Sequence, residues 1–164
     1  MEIVALKNQI SPASAKAIIK EKELSVEIRG IEPIFYPYFN IEASVNTRIL
    51  SHTINGSISC LIDMINGVEA FTEKITEKQK SRIDAAEHEV LNISLSIDEA
   101  RKRAISYITH IILQRVKILQ VPEIIVLKEE LLYKPFWLIE CCHDNENFHL
   151  LMDAVNGYYH LVLT

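Results

Sequence analysis

The sequence predicts an α+β fold made of two repeated helix-plus-antiparallel-sheet (α-β-β-β) units. Three observations carry this. The stretch Leu131–Gly157 runs strand, polar turn, strand, and ends at Asp153-Ala154-Val155-Asn156-Gly157. The pattern recurs earlier, with Phe35–Glu42 as the first strand and Cys60–Gly67 as the second. A helix signal precedes each copy. The offset is 135 − 37 = 98 for the prolines Pro37 and Pro135, and it also aligns Val26 with Ile124, Ile28 with Val126, Phe39 with Trp137 and Glu42 with Glu140. For the aspartates it is 153 − 63 = 90, so the length difference falls in a hairpin loop, where insertions are tolerated. The predicted organisation is a first unit over 1–72, a charged connector over 73–94 and a second unit over 95–164.

Each element has a local reason. Ser11-Pro12 is a helix start, with serine as cap and proline in the first turn, and predicts a helix over 12–22. Leu24, Val26 and Ile28 alternate with polar residues, the period of a half-buried strand, and Gly30 and Pro33 then break or bulge the chain. Phe35 to Val45 forms the next strand, with Pro37 marking an edge position or a bulge. Residues 46–56 read as a long polar hairpin loop, Ser57–Met64 as a strand, Asn66-Gly67 as a tight turn and Val68–Phe71 as a return strand. Glu73–Glu89 is highly charged and reads as a connector with a solvent-facing helix.

Ser96-Ile97-Asp98-Glu99 is a capping box. Ile97, Ala100, Ala104, Ile108 and Ile111 follow on one stripe, which predicts an amphipathic helix over 96–118. Glu123–Cys142 is one long or bent strand, and Phe148–Val155 and Tyr158–Leu163 are the last two.

Composition limits the functional classes. Of 164 residues, 49% are apolar, enough for a packed core. A net charge of −5 without a basic stripe gives no reason to expect a nucleic-acid partner. No apolar run spans a membrane and no signal peptide is visible, so the expected setting is cytoplasmic. Cys60, Cys141 and Cys142 are odd in number and read as reduced, buried thiols.

Through Ser96–Ala100, the aromatic strand Tyr133–Glu140 and Met152–Gly157, the second unit resembles the PepSY domain family, and the first does so more weakly. The resemblance implies a helix on an antiparallel sheet with an Asp-Ala-x-x-Gly hairpin and no catalytic centre. It also implies a peptidase-binding or inhibitory role in secreted or envelope proteins.

The candidate chemistry is sparse. Asp63 and Asp153 precede turn glycines by four residues and are expected to bind backbone N–H groups. Cys141, Cys142 and His143, with His149 and His160, lack zinc-ligand spacing. Adjacent strand residues diverge, so Cys142-His143 is a poor nucleophile–base pair. Glu42 and Glu140 are equivalent by offset and would form an acid–base pair if they converged.

The face opposite Trp137 and Ile139 is unusual, because a helix-on-sheet unit leaves its outer face polar. Here it carries Tyr36, Tyr38, Glu42, Phe136, Leu138 and Glu140. These six are the expected interface, which favours a non-enzymatic protein- or peptide-binding or assembly module, with a second copy of the chain among the possible partners. No catalytic residue, metal or cofactor is assigned. One alternative is a small hydrolase or metal-dependent enzyme using Glu42/Glu140 or the Cys141-Cys142-His143 cluster. Another is a peptidase-inhibitor-like envelope protein that lacks its leader.

Overall fold

The computed structural model describes residues 1–49, 52–115 and 123–162. In chain order the elements are β1 (Glu2–Leu6), α1 (Pro12–Lys22), β2 (Glu27–Ile49), β3 (His52–Asp63), β4 (Glu69–Thr72), β5 (Lys80–Asp84), β6 (Glu89–Val90), α2 (Ile97–Arg115), β7 (Glu123–His143), β8 (Glu146–Asp153) and β9 (Tyr159–Val162). Short 3-10 turns at Glu77–Gln79 and Ala85–Glu87 flank β5.

Two successive α-β-β-β units with antiparallel sheets do not form. The nine strands belong to one mixed sheet of order β4-β3-β2-β7-β1-β5, with β6 on β2 and with β8, followed by β9, on β7. Pairing is parallel for β1 with β7 and for β2 with β6. The reason lies in strand length. β2 has 23 residues and β7 has 21, so neither strand ends within one compact unit.

The compact units are discontinuous. One comprises Met1–Tyr36, Lys78–Leu91 and Tyr133–Thr164, and the other Pro37–Glu77 and Asn92–Leu132. Their boundaries fall inside β2 and β7, not at 72/73 and 94/95. In the first unit, Ala15 and Ile19 of α1 pack with Val26, Trp137, Ile139, Cys141, Leu150 and Met152. In the second, Ala100, Ala104, Ile108 and Ile112 of α2 pack with Phe39, Ile41, Ala43, Cys60 and Ile62. Each helix therefore covers strands from the other stretch of sequence.

Both helices start where the sequence places them. Ser11 Oγ accepts from Ser14 N at 3.1 Å, and Ser96 Oγ from Glu99 N at 3.1 Å. The Glu99 carboxylate contacts Arg103 at 3.3 Å, the next turn of the same face. The predicted end of the second helix, 116–118, lies outside the described residues.

Both long strands change phase. Val26 and Ile28 face the first core, but so does Ile31 three residues on, which places an extra residue at Arg29-Gly30. In β7, Ile124 and Val126 face the second core, and so does Leu131, which places a like slip between Val126 and Leu131.

Pro37 is fully buried and sits neither at a sheet edge nor at this slip. It lies between two partners of β2: β6 pairs with Ile34 and Phe35, and β3 pairs from Tyr38 onward. A residue without an N–H suits that gap. Pro135 does the same in β7, between Tyr133, which pairs with β1, and Phe136, which pairs with β8.

Two further expectations are corrected. Within the expected hairpin loop at 46–56, residues 46–49 and 52–56 are strand: Asn46 pairs with Asn55 and Ile49 with His52. The connector contains no helix of the expected kind. Its residues 80–84 form β5, antiparallel to β1, with Glu2 opposite Asp84 and Leu6 opposite Lys80. The segment of β1 is short and polar-flanked and carried no strand signal by itself. It is ordered by β5, whose own sequence is equally ambiguous.

Candidate functional site

The two aspartates are turn residues. Asp63 Oδ1 accepts from Ile65 N at 2.8 Å and Asn66 N at 2.9 Å, and the Gly67 N–H bonds the Asp63 carbonyl at 2.7 Å. Asp153 Oδ1 accepts from Val155 N at 2.8 Å and Asn156 N at 3.2 Å, and Gly157 N bonds the Asp153 carbonyl at 2.8 Å. Gly67 and Gly157 take φ of 77° and 81°, a region L-residues avoid. Lys134 adds an ion pair to Asp153.

The cysteine chemistry is quiet. Burial pushes the Cys60 thiol up to about 12, with Glu69 adding to the effect and a backbone hydrogen bond from Ala70 offsetting part of it. Burial also raises the Cys141 thiol. Both are therefore protonated near neutral pH, the wrong state for a nucleophile or metal ligand. Cys142 is buried, whereas the exposed His143 ring approaches the Ser25 carbonyl at 3.4 Å and the Asp144 carboxylate at 3.3 Å. Among the described residues, no three or more His, Cys, Asp or Glu gather as a metal site.

The expected interface residues divide between the units. Tyr36, Phe136, Leu138 and Glu140 belong to the first, Tyr38 and Glu42 to the second. Tyr36 and Phe136 touch, with ring centroids 5.8 Å apart and planes at 59°. Lys134 Nζ sits 5.8 Å from the centre of the Phe136 ring. Tyr36, Phe136 and Leu138 are half-buried and Glu140 is exposed. A cavity of about 240 Å³ opens beside Leu138, Glu140, Glu32 and His149, with Gly30 in its lining. In the second unit Tyr38 is half-buried, and the Glu42 side chain, 16% exposed, pairs with Lys74 at 3.7 Å.

Two grooves of the second unit lie outside the residues the sequence singled out. One, of about 390 Å³, is polar and lies along α2 beside Glu69, Glu99, Lys102, Arg103 and His110. The other, of about 380 Å³, is walled by Ile58 and Phe71 from β3 and β4 and by Ile111 and Ile112 from α2. Ser57, Glu73 and Lys74, all exposed, also line it. No sequence signal marks it, because its walls come from β3, β4 and α2, elements distant in sequence.

Comparison of the chain with protein-family models, curated proteins and solved structures gives no significant match.

Proposed function

We propose that this chain is a non-enzymatic protein- or peptide-binding module. Tyr36, Phe136 and Leu138, rimmed by Glu140, form its contact surface on the first unit, and Tyr38 and Glu42 are separate candidate contacts on the second. The observation that carries this reading is the Tyr36–Phe136 pair: two aromatic rings in contact, half-buried, on the sheet face away from Trp137 and the α1 core. Aromatic area left partly in water forgoes about 25 cal/mol per Å² that a partner would recover. The raised thiols of Cys60 and Cys141 and the turn bonds of Asp63 and Asp153 favour binding over covalent chemistry.

The cytoplasmic setting belongs to the same proposal. It is supported by three free, buried cysteines, and no helix among the described residues is long and apolar enough to cross a membrane. The PepSY resemblance rests on short motifs alone and adds no support beyond them.

The test is Phe136→Asp, compared with the parent by light scattering and thermal melting. Loss of self-association, or a changed melting temperature, is the expected result. Unchanged mass together with an unchanged melt means a simply solvated face and overturns the proposal.

A further inference from the structure

The open edge of β3 offers a second site. In an antiparallel strand the N–H and C=O of alternate residues point to the same side. Asp63 faces β4, since its N–H bonds Val68 O at 2.9 Å and its carbonyl accepts from Gly67. Pairing is one-to-one from Asp63 back to His52, so Leu61, Ser59, Ser57 and Asn55 face the same side. β4 stops at Thr72, opposite Ser59. Among the described residues no strand pairs with this edge beyond Ser59. The backbone groups of Ser57 and Asn55 thus point outward beside the groove walled by Ile58, Phe71, Ile111 and Ile112.

Gly56 lies between them. It is exposed, and a Cβ built there would meet no atom within 4 Å. Side chains at even positions of β3 face α2, as Ile58, Cys60 and Ile62 do. A residue paired opposite Gly56 would therefore project its side chain to the α2 face, on the Ile58 side of the groove.

We infer that the β3 edge at Asn55–Ser57 binds an extended segment of a partner polypeptide by strand addition, with one bulky apolar side chain seated among Ile58, Phe71, Ile111 and Ile112. The backbone edge supplies the hydrogen bonds and the groove selects the side chain. This deepens the binding-module reading. It lies in the other unit from the Tyr36–Phe136 pair, so either can fail without the other.

The probe is a pool of capped heptapeptides with threonine at odd positions and leucine, isoleucine, valine or phenylalanine at even ones. Saturable amide shifts at Ser57, Ile58 and Phe71 are expected below about 1 mM peptide. N-methylation of alternate peptide residues should abolish binding in one phase and spare it in the other, because only one set of amides faces β3. Ser57→Pro removes the outward N–H and should weaken binding at least about tenfold. Gly56→Leu, which puts a bulky side chain into the open space beside the bound strand, should do the same. If Ser57→Pro does not fold, the two N-methyl phases on the parent still decide. No shift at these amides, equal binding in both phases, or dimers of this chain that Ser57→Pro dissociates would each overturn the inference. The Phe136→Asp result is independent of all three.

Discussion

Trp137 donates its indole N–H to the carbonyl oxygen of Ile10 at 2.8 Å. The bond ties the centre of β7 to the residue just before the cap of α1, and it satisfies the one polar atom of a side chain only 9% exposed. Trp137→Ala should cost on the order of 3–5 kcal/mol, through the cavity it leaves. Trp137→Phe keeps much of the volume and leaves the Ile10 carbonyl its second donor, the Asn8 amide at 3.2 Å, so only about 0.5–1.5 kcal/mol is expected for the lost hydrogen bond. Glu140→Gln should be nearly silent. Denaturant midpoints of the three variants provide the check. Equal midpoints would mean that the facing of this strand is wrong.

Arg101 holds Glu129 through two hydrogen bonds, Nε to Oε1 and, at 2.7 Å, Nη2 to Oε2. This fork joins α2 to β7 within the second unit. The hydrogen bonds from Arg101 hold the Glu129 carboxyl below the usual glutamate range. A carboxyl whose folded pKa is depressed stabilises the fold fully above its unfolded pKa, about 4.3, and loses that contribution as pH falls through the folded value. The parent should therefore lose stability through this window more steeply than Glu129→Gln. Melting temperatures across acid pH measure the difference, and parallel curves would rule the pair out as a contributor.

Gly157 should not tolerate a side chain. At φ +81° an alanine is strained, and its Cβ would come within 3.4 Å of Ile18 Cδ1. Gly157→Ala should cost about 1–2 kcal/mol from the backbone alone. Asp153→Ala, which leaves two turn N–H groups without their acceptor, should cost about 1–3 kcal/mol. Urea titration of both variants tests this; a neutral Asp153→Ala would show that the turn closes without its carboxylate.

The thiols should resist modification. All three cysteines are buried, and the raised Cys60 and Cys141 thiols hold almost no thiolate at neutral pH. A disulfide reagent should label these two only as fast as the protein opens, and far faster once denaturant is added. Rapid labelling of either in the native state would contradict the burial described here.

Local chemistry was legible in the residues themselves. Ser11-Pro12 marks the start of α1 and Ser96–Glu99 that of α2, because capping involves neighbours in sequence. The turn roles of Asp63 and Asp153 follow from their spacing to Gly67 and Gly157 for the same reason. The alternation in β7 separates Trp137 from Phe136 and so exposes the aromatic face. β1 and β5 escaped notice because each is ordered chiefly by pairing with the other across more than 70 residues.

By itself the sequence determined where the two helices start, the turns at Gly67 and Gly157, the facing of Phe39–Val45 and Trp137–Cys141 and the buried thiols. All of these depend on contacts a few residues apart. The tertiary structure alone decided which helix covers which strands, and it placed α2 on Phe39, Ile41, Cys60 and Ile62 where tandem units would have placed α1. It also decided the groove, since Phe71 and Ile111 meet across 111 − 71 = 40 residues. The helices' apolar stripes are interchangeable in chemistry, so only the path of two strands longer than a single unit selects between the pairings.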